Sequence, residues 1–105
     1  MEQLENSRLD EVDHVALAVA DIERSVAWYT SSFSCEVEKV ENTYAVLRFR
    51  NLRLVLVLPS QQRTHVGYLK SDAAAFGEIT ERTDGILSTF VADPTGNMVE
   101  LIPPK

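Results

Sequence analysis

The sequence has one cysteine, two histidines and no long apolar run, and each scarcity argues against a class of protein. A lone cysteine, Cys35, cannot form an intramolecular disulfide, which agrees with a reducing compartment. Its acidic neighbour Glu36 disfavours a nucleophilic thiolate, so we expect a structural thiol. No stretch approaches the roughly 20 apolar residues of a membrane helix, and no signal-peptide pattern opens the chain. We therefore expect a cytoplasmic protein without a membrane partner.

Basic residues are also scarce. Ten Lys and Arg face sixteen Asp and Glu, for a net charge of -6, which argues against nucleic acid as a partner. The chain has 105 residues, 45% of them hydrophobic and 25% charged, as in an ordinary folded domain. We expect residues 1–105 to form a single domain with one core.

A short repeat divides the chain into two halves. The segment HVGY beginning at His65 echoes HVAL beginning at His14, 51 residues earlier, and Asp21 and Asp72 each follow their histidine by seven residues. Repetition of this kind indicates two units that bury their apolar faces against each other. The alternative, a chance echo of four residues, remains open. We predict one module over about 12–59 and a second over about 64–103.

Apolar periodicity predicts the elements of each module. The first should have a strand over 13–19 and a helix capped by Asp21, whose apolar face carries Ile22, Val26, Tyr29 and Phe33. Strands should follow over 36–40, 44–50 and 52–58, and Pro59 ends the last one. The second module should have a strand from 64, a helix over 72–79, strands over 88–92 and 97–102, and a type I turn over 93–96. Each half is thus a strand, a helix and further strands, and the two halves should form one cup.

Two histidines and one glutamate are the candidate metal ligands. Alternation places His14 on the strand face that carries Ala16 and Ala18, where the small side chains should leave open space. His65 holds the same place in its repeat, and Glu100 interrupts an apolar strand in which a buried carboxylate needs a cationic partner. Such a facial set binds Fe, Mn, Zn or Ni and leaves positions for substrate. The competing interpretation is that both are ordinary structural histidines.

Two further features bear on the site. Leu47 and Phe49 should pack on the helix, so Arg48 and Arg50 share the other face and could hold an anionic substrate group. Two solvated arginines at a strand end are the alternative. Counting back three residues from Pro103 gives Glu100, and the same count from Pro59 gives Leu56, where a symmetric site would have a fourth ligand. We therefore expect three protein ligands.

Two segments resemble the glyoxalase, bleomycin-resistance and extradiol-dioxygenase (vicinal oxygen chelate) superfamily. DHVALAVADIERSVAWY resembles its first strand and helix, and FVADPTGNMVEL resembles its closing turn and strand. The resemblance implies an α+β fold of paired βαβββ modules, with a cup-shaped mixed sheet and helices on its outer face. It also implies metal ligands at His14, His65 and Glu100, and chemistry in which an ion stabilises an oxyanion or binds vicinal oxygens.

The resemblance leaves the reaction open. Leu56 in place of a fourth ligand disfavours glyoxalase I and methylmalonyl-CoA epimerase, the lack of a third histidine disfavours a dioxygenase, and Ala16 disfavours a fosfomycin-type thiol transferase. We expect a metal-dependent enzyme of lyase, dioxygenase or transferase type that acts on a small anionic oxygenated substrate, with Glu100 as its candidate catalytic residue. The alternatives are a non-catalytic small-molecule binding protein of the bleomycin-resistance type, and a vestigial site on an interaction protein.

The assembly we expect is a homodimer. Only residues 60–63 link the modules, and a tight link favours exchange of modules between two chains. His14 would then come from one chain, and His65 with Glu100 from the other.

Overall fold

A computed structural model describes residues 9–82 and 84–104, and within them the architecture is α+β with a mixed eight-stranded sheet, as expected. The elements in chain order are β1 (Glu11–Ala18), α1 (Ile22–Ser32), β2 (Glu36–Val40), β3 (Tyr44–Arg48), β4 (Arg53–Val57), β5 (His65–Leu69), a 3-10 turn (Ala73–Ala75), β6 (Thr80–Glu81), β7 (Leu87–Ala92) and β8 (Met98–Ile102). Among the described residues, no helix has the length and apolar character required to cross a membrane.

The chain divides into two compact units. One unit comprises His14–Val66, and the other comprises the described residues on either side of that segment. The strand order is β2-β3-β4-β1-β5 in the first unit and β5-β8-β7-β6 in the second; both β1, at Asp13/His14, and β5, at Val66/Gly67, cross a boundary between the units. In the first unit β1 runs parallel to β4, and β3 pairs antiparallel with both β2 and β4.

Helix α1 begins where the sequence predicts. Asp21 has extended backbone angles, and its Oδ1 accepts a hydrogen bond of 3.0 Å from the backbone N–H of Arg24, which makes it the N-cap. The helix ends at Ser32, and the N–H of Phe33 donates to the carbonyl of Tyr29. Capping fixes the start of the helix, and therefore which of its faces meets the strands.

The core of the first unit lies between α1 and one face of its strands. Its buried residues are Ile22, Ala45, Leu47, Leu54 and Leu56, and Val15, Leu17, Val26, Tyr29 and Phe49 are among the partly buried side chains that pack against them. The branched side chains of β1 therefore face the helix, as the alternation predicted. Leu47 and Leu56 are both 0% exposed, and burying a leucine contributes about 1.5–3 kcal/mol.

The position of Leu56 corrects one prediction. Leu56 belongs to the helix-facing core, so it does not lie where a fourth metal ligand would. The register pairs Leu56 with Leu17 and Val55 with Ala16, and neighbours in register share a face. The residue next to Leu56 that lies on the histidine face is therefore Val55, which is equally unable to bind a metal. The count of three protein ligands is unchanged.

In the second unit β7 and β8 form an antiparallel hairpin. The four-residue turn predicted between them is present, because the N–H of Gly96 donates to the carbonyl of Asp93 at 3.0 Å. Asp93 Oδ1 also accepts from the N–H groups of Thr95 and Asn97. The side-chain amide of Asn97 donates to Oδ2 of Asp93. This hydrogen bond has the largest effect in lowering the pKa of Asp93, and the backbone bonds lower it further. Gly96 has φ +94, which a side chain rarely adopts.

The second helix is much shorter than predicted. The 72–79 segment forms only the 3-10 turn Ala73–Ala75, and β6 begins at Thr80. Gly77 explains the early end in part, because a Cβ there would lie 2.5 Å from Oγ1 of Thr89 on β7. The backbone approaches β7 too closely at this point for a continuing helix with side chains.

Candidate metal site

The two histidines lie side by side within the first unit. His14 on β1 and His65 at the start of β5 are 8% and 3% exposed. Their Nε2 atoms are 3.4 Å apart, and their rings meet edge to face with centroids 5.5 Å apart. The repeat therefore placed the two imidazoles in equivalent positions that converge on one point.

The backbone sets the tautomer of His65. Its Nδ1 lies 2.6 Å from the carbonyl oxygen of Arg63, and a carbonyl can only accept, so Nδ1 carries the proton. In the neutral ring the lone pair is then on Nε2, the atom that faces His14. Metal-binding histidines are commonly oriented in this way, through an N–H bond to a carbonyl or carboxylate.

The meeting of these histidines contradicts the reasoning behind module exchange. We expected His14 and His65 from different chains because the link between modules is short. The structure instead brings both together within one chain, because the link turns tightly at Leu58, whose carbonyl accepts from Gln61 and Gln62. The next strand is then tied to the first, since Thr64 Oγ1 accepts from the backbone N–H of Ala18 at 3.0 Å.

Glu100 lies on β8 in the second unit and is 3% exposed. Its Oε2 accepts a hydrogen bond of 2.7 Å from the hydroxyl of Ser88, which in turn accepts one of 2.8 Å from Nε of Arg82. Two hydrogen bonds in sequence thus connect the Arg82 guanidinium to the Glu100 carboxylate. The sequence analysis singled out neither Ser88 nor Arg82. The available signal was that Ser88 and Thr89 are polar residues in an otherwise apolar strand.

The three predicted ligands are of the types that bind a metal ion. His14 and His65 offer their Nε2 atoms within the first unit, and Glu100 offers a carboxylate in the second unit. The separation of the two Nε2 atoms supports the fit, because two imidazole nitrogens bound to one tetrahedral zinc at about 2.0–2.1 Å lie roughly 3.3–3.4 Å apart. Two imidazoles and one carboxylate suit Zn, Fe, Mn or Ni.

One expectation about the surroundings of His14 was wrong. Ala16 was expected to leave open space on the histidine face, but it is 0% exposed. All three donors are likewise buried, which fits ligand residues better than solvated side chains.

Arg48 and Arg50 lie together in a pocket of the first unit. The pocket has a volume of about 690 Å³ and is lined by Thr30, Phe33, Ser34, Cys35, Glu36, Arg48, Phe49 and Arg50. Arg48 donates to Glu36 at 2.5 Å, and this hydrogen bond with its ion pair lowers the pKa of Glu36 and raises that of Arg48. The two arginines therefore line a common surface, and neither histidine is among the lining residues.

Arg53 is a charged residue near His14 that sequence reasoning passed over. It pairs with His14 in the parallel register of β1 and β4, so their side chains leave the sheet on the same face. Arg53 Nε donates to both carboxylate oxygens of Glu38, at 3.1 and 3.2 Å. Its alternation with Leu54 and Leu56 is the sequence signal that places it on the histidine face.

The chain belongs to the Glyoxalase/Bleomycin resistance protein/Dioxygenase superfamily, whose family model matches residues 11–69. This span contains both histidines, and Glu100 lies beyond it. Among curated proteins, none matches the chain.

Solved structures resemble the chain in fold. A hypothetical protein from Bacillus halodurans C-125 is 14% identical with a TM-score of 0.71, covering 91% of this chain and 95% of its own. A hypothetical protein from Staphylococcus aureus is 10% identical with a TM-score of 0.64. The match covers 99% of this chain but only 39% of the Staphylococcus aureus protein. A lactoylglutathione lyase from Agrobacterium tumefaciens is 20% identical with a TM-score of 0.45, covering 89% of this chain and 92% of its own.

Proposed function

We propose that the protein is a metal-dependent enzyme acting on a small anionic oxygenated substrate, with His14, His65 and Glu100 as ligands of a divalent ion. The observation that carries the proposal is the pair of buried imidazoles with Nε2 atoms 3.4 Å apart, in a chain whose third predicted donor, Glu100, is buried as well. Burying a polar or charged group is unfavourable unless a partner compensates for its lost hydration, and a metal ion would be such a partner. Perturbed or clustered ionisable groups of this kind concentrate at functional sites.

Each residue has a distinct role in the proposed site. His65 presents Nε2 because its Nδ1 proton is donated to the Arg63 carbonyl. His14 presents Nε2 from β1, and Glu100 supplies the negative charge that offsets that of a cation. A divalent ion bound by these residues would supply Lewis-acid chemistry toward a substrate oxygen that becomes negative. Glu100 is the residue that we propose beside the reacting oxygen, as ligand and as candidate catalytic group.

Arg48 and Arg50 are the proposed receptors for the anionic part of the substrate. They line one pocket with the aromatic rings of Phe33 and Phe49, whose centroids are 6.1 Å apart. A guanidinium binds carboxylate or phosphonate oxygens through charge-assisted hydrogen bonds. Because Arg48 donates a hydrogen bond to Glu36, an incoming anion would have to compete with the Glu36 carboxylate for the Arg48 guanidinium.

Metal analysis tests the proposal. Wild type is reconstituted with Fe, Mn, Zn or Ni and compared with the His14→Ala, His65→Ala double variant, after excess metal has been removed. We expect about one ion per wild-type chain and a large loss in the double variant. Equal and negligible metal in both proteins would contradict the enzyme proposal.

The pocket favours a second candidate function, non-catalytic binding of a small molecule. Its volume lies in the range of ligand sites, and its lining includes two aromatic rings and two guanidinium groups but neither histidine. Binding of an aromatic carboxylate that is unchanged in the His14→Ala, His65→Ala variant and lost in Arg50→Ala would favour this candidate. Binding that requires added metal would favour the enzyme.

We further propose a cytoplasmic homodimer without module exchange. Several large apolar side chains are exposed at α1 and on the edge strand β2. They are Trp28 (57%), Phe33 (50%), Val37 (48%) and Val40 (47%). Exposed apolar patches often mark protein–protein interfaces. Light scattering of wild type and of Trp28→Glu tests it. A monomeric wild type would contradict the proposal.

A further inference from the structure

We infer that Ser88 and Arg82 are positioning residues that hold the Glu100 carboxylate in the orientation needed for metal binding. This inference rests on the proposed metal site and adds two residues to it. It depends on contacts within the second unit, where all three residues lie.

Ser88 is the link between the arginine and the carboxylate. It is 0% exposed on β7, and the pairing of Phe90 with Glu100 places Ser88, two residues before Phe90, on the face that carries Glu100. A serine hydroxyl has one proton to donate. Ser88 donates it to Oε2 of Glu100 at 2.7 Å, while its oxygen accepts from Nε of Arg82 at 2.8 Å.

Arg82 fixes the direction of that proton. Because its guanidinium can only donate, the bond to Ser88 Oγ requires the serine proton to point elsewhere, and the Glu100 carboxylate receives it. Nη2 of the same guanidinium donates to the backbone carbonyl of Ser88 at 2.8 Å, and the group lies 4.7 Å from the centre of the Phe90 ring. Two hydrogen bonds and one cation–π contact thus hold Arg82 to β7.

The local fold holds Arg82 in place. It begins the turn between β6 and β7, where its N–H donates to the carbonyl of Ile86 at 2.8 Å and its carbonyl accepts from Gly85 at 2.9 Å. Gly85 has φ +85, a conformation that other residues seldom adopt. A turn closed in this way returns the guanidinium to the strand that carries Ser88.

The consequence is a carboxylate that is oriented before an ion arrives. Without Ser88, the Glu100 carboxylate would lose one of the hydrogen bonds that orient it, and the additional freedom lost on metal binding would weaken the affinity. Removing a hydrogen-bond partner of a metal ligand typically lowers metal affinity about 10–100-fold. The competing explanation is that the three residues only stabilise the β7–β8 hairpin, in which case folding would suffer and metal affinity would not.

Titration with Co(II) separates these explanations. Affinity and the visible d–d spectrum are measured for wild type, Ser88→Ala, Ser88→Thr, Arg82→Gln and Arg82→Lys, each shown by circular dichroism to be folded. Thr89→Val is the matched control, because Thr89 is the adjacent buried hydroxyl of the same strand, 4% exposed and on the opposite face.

The inference predicts weaker Co(II) binding by about 10–100-fold in Ser88→Ala, with a smaller loss in Arg82→Gln and an altered spectrum. Ser88→Thr should recover most of the affinity because it restores the hydroxyl, and Thr89→Val should bind as wild type does. Wild-type affinity and spectrum in folded Ser88→Ala would overturn the inference while leaving the metal site standing. Wild type that binds no Co(II) would overturn both.

Discussion

Two single variants, Val55→Glu and Leu56→Glu, test which face of β4 lies in the core and which lies beside His14. Leu56 is 0% exposed in the core beneath α1, whereas Val55 is half-buried beside Ala16 on the face of His14. The two variants introduce the same carboxylate one residue apart. They should nevertheless differ in both stability and metal binding.

The expected magnitudes follow from burial. Removing a fully buried leucine costs about 2–5 kcal/mol, and an unpaired buried carboxylate adds several kcal/mol more. A domain of this size has a total stability of about 5–15 kcal/mol, so Leu56→Glu should be largely unfolded. Val55→Glu should cost no more than about 1–2 kcal/mol. It should also strengthen Zn binding, because a further carboxylate then faces the same side as His14.

Urea unfolding followed by circular dichroism, and calorimetric titration with Zn, provide the two measurements. Val37→Glu is the control for adding a carboxylate to a strand, because Val37 is 48% exposed on β2, and it should unfold near the wild-type midpoint. The reasoning fails if Leu56→Glu is as stable as Val55→Glu, or if Leu56→Glu is the variant that gains Zn affinity.

Three further predictions concern single contacts. Asp21→Ala should lower the free energy of unfolding by about 0.5–2 kcal/mol by removing the N-cap, whereas Asp21→Asn should retain most of it; equal losses in urea unfolding would argue against the cap. Gly77→Ala should destabilise the protein because its Cβ would lie 2.5 Å from Thr89 Oγ1, and the companion Gly77→Ala, Thr89→Ala variant should lose less than the two single changes combined. In Arg48→Ala the pKa of Glu36, which the Arg48 hydrogen bond lowers, should rise toward its ordinary value in an NMR pH titration. Any stability that this pair contributes is present above the unfolded-state pKa of Glu36 and is lost as the pH falls through its folded-state pKa; an unmoved titration curve would exclude the pairing in solution.

Local signals in the sequence predicted the local structure well. The Asp21 cap, the alternation of β1 and the turn at Asp93 depend on neighbouring residues, and each is where it was expected. The family resemblance extended this to the α+β fold, which the family match and the solved structures support.

One error overlooked a local signal, and the others arose where distant residues decide the outcome. Counting back from Pro59 assigned Leu56 to the wrong face, although alternation with Arg53 already placed it with the core. The second helix was overestimated because the close approach of Gly77 to Thr89 is a tertiary contact. Ser88 connects Arg82 to Glu100 only after β7 and β8 have paired, so no residue spacing in the sequence predicts these two hydrogen bonds.

The most direct test of the proposed metal site is an anomalous difference map, collected at the zinc absorption edge from crystals of the protein prepared with Zn. The account predicts one strong peak within bonding distance, about 2.0–2.2 Å, of Nε2 of His14, Nε2 of His65 and a carboxylate oxygen of Glu100. A fully loaded crystal with its peak on other residues, or with no peak between the two histidines, would contradict it.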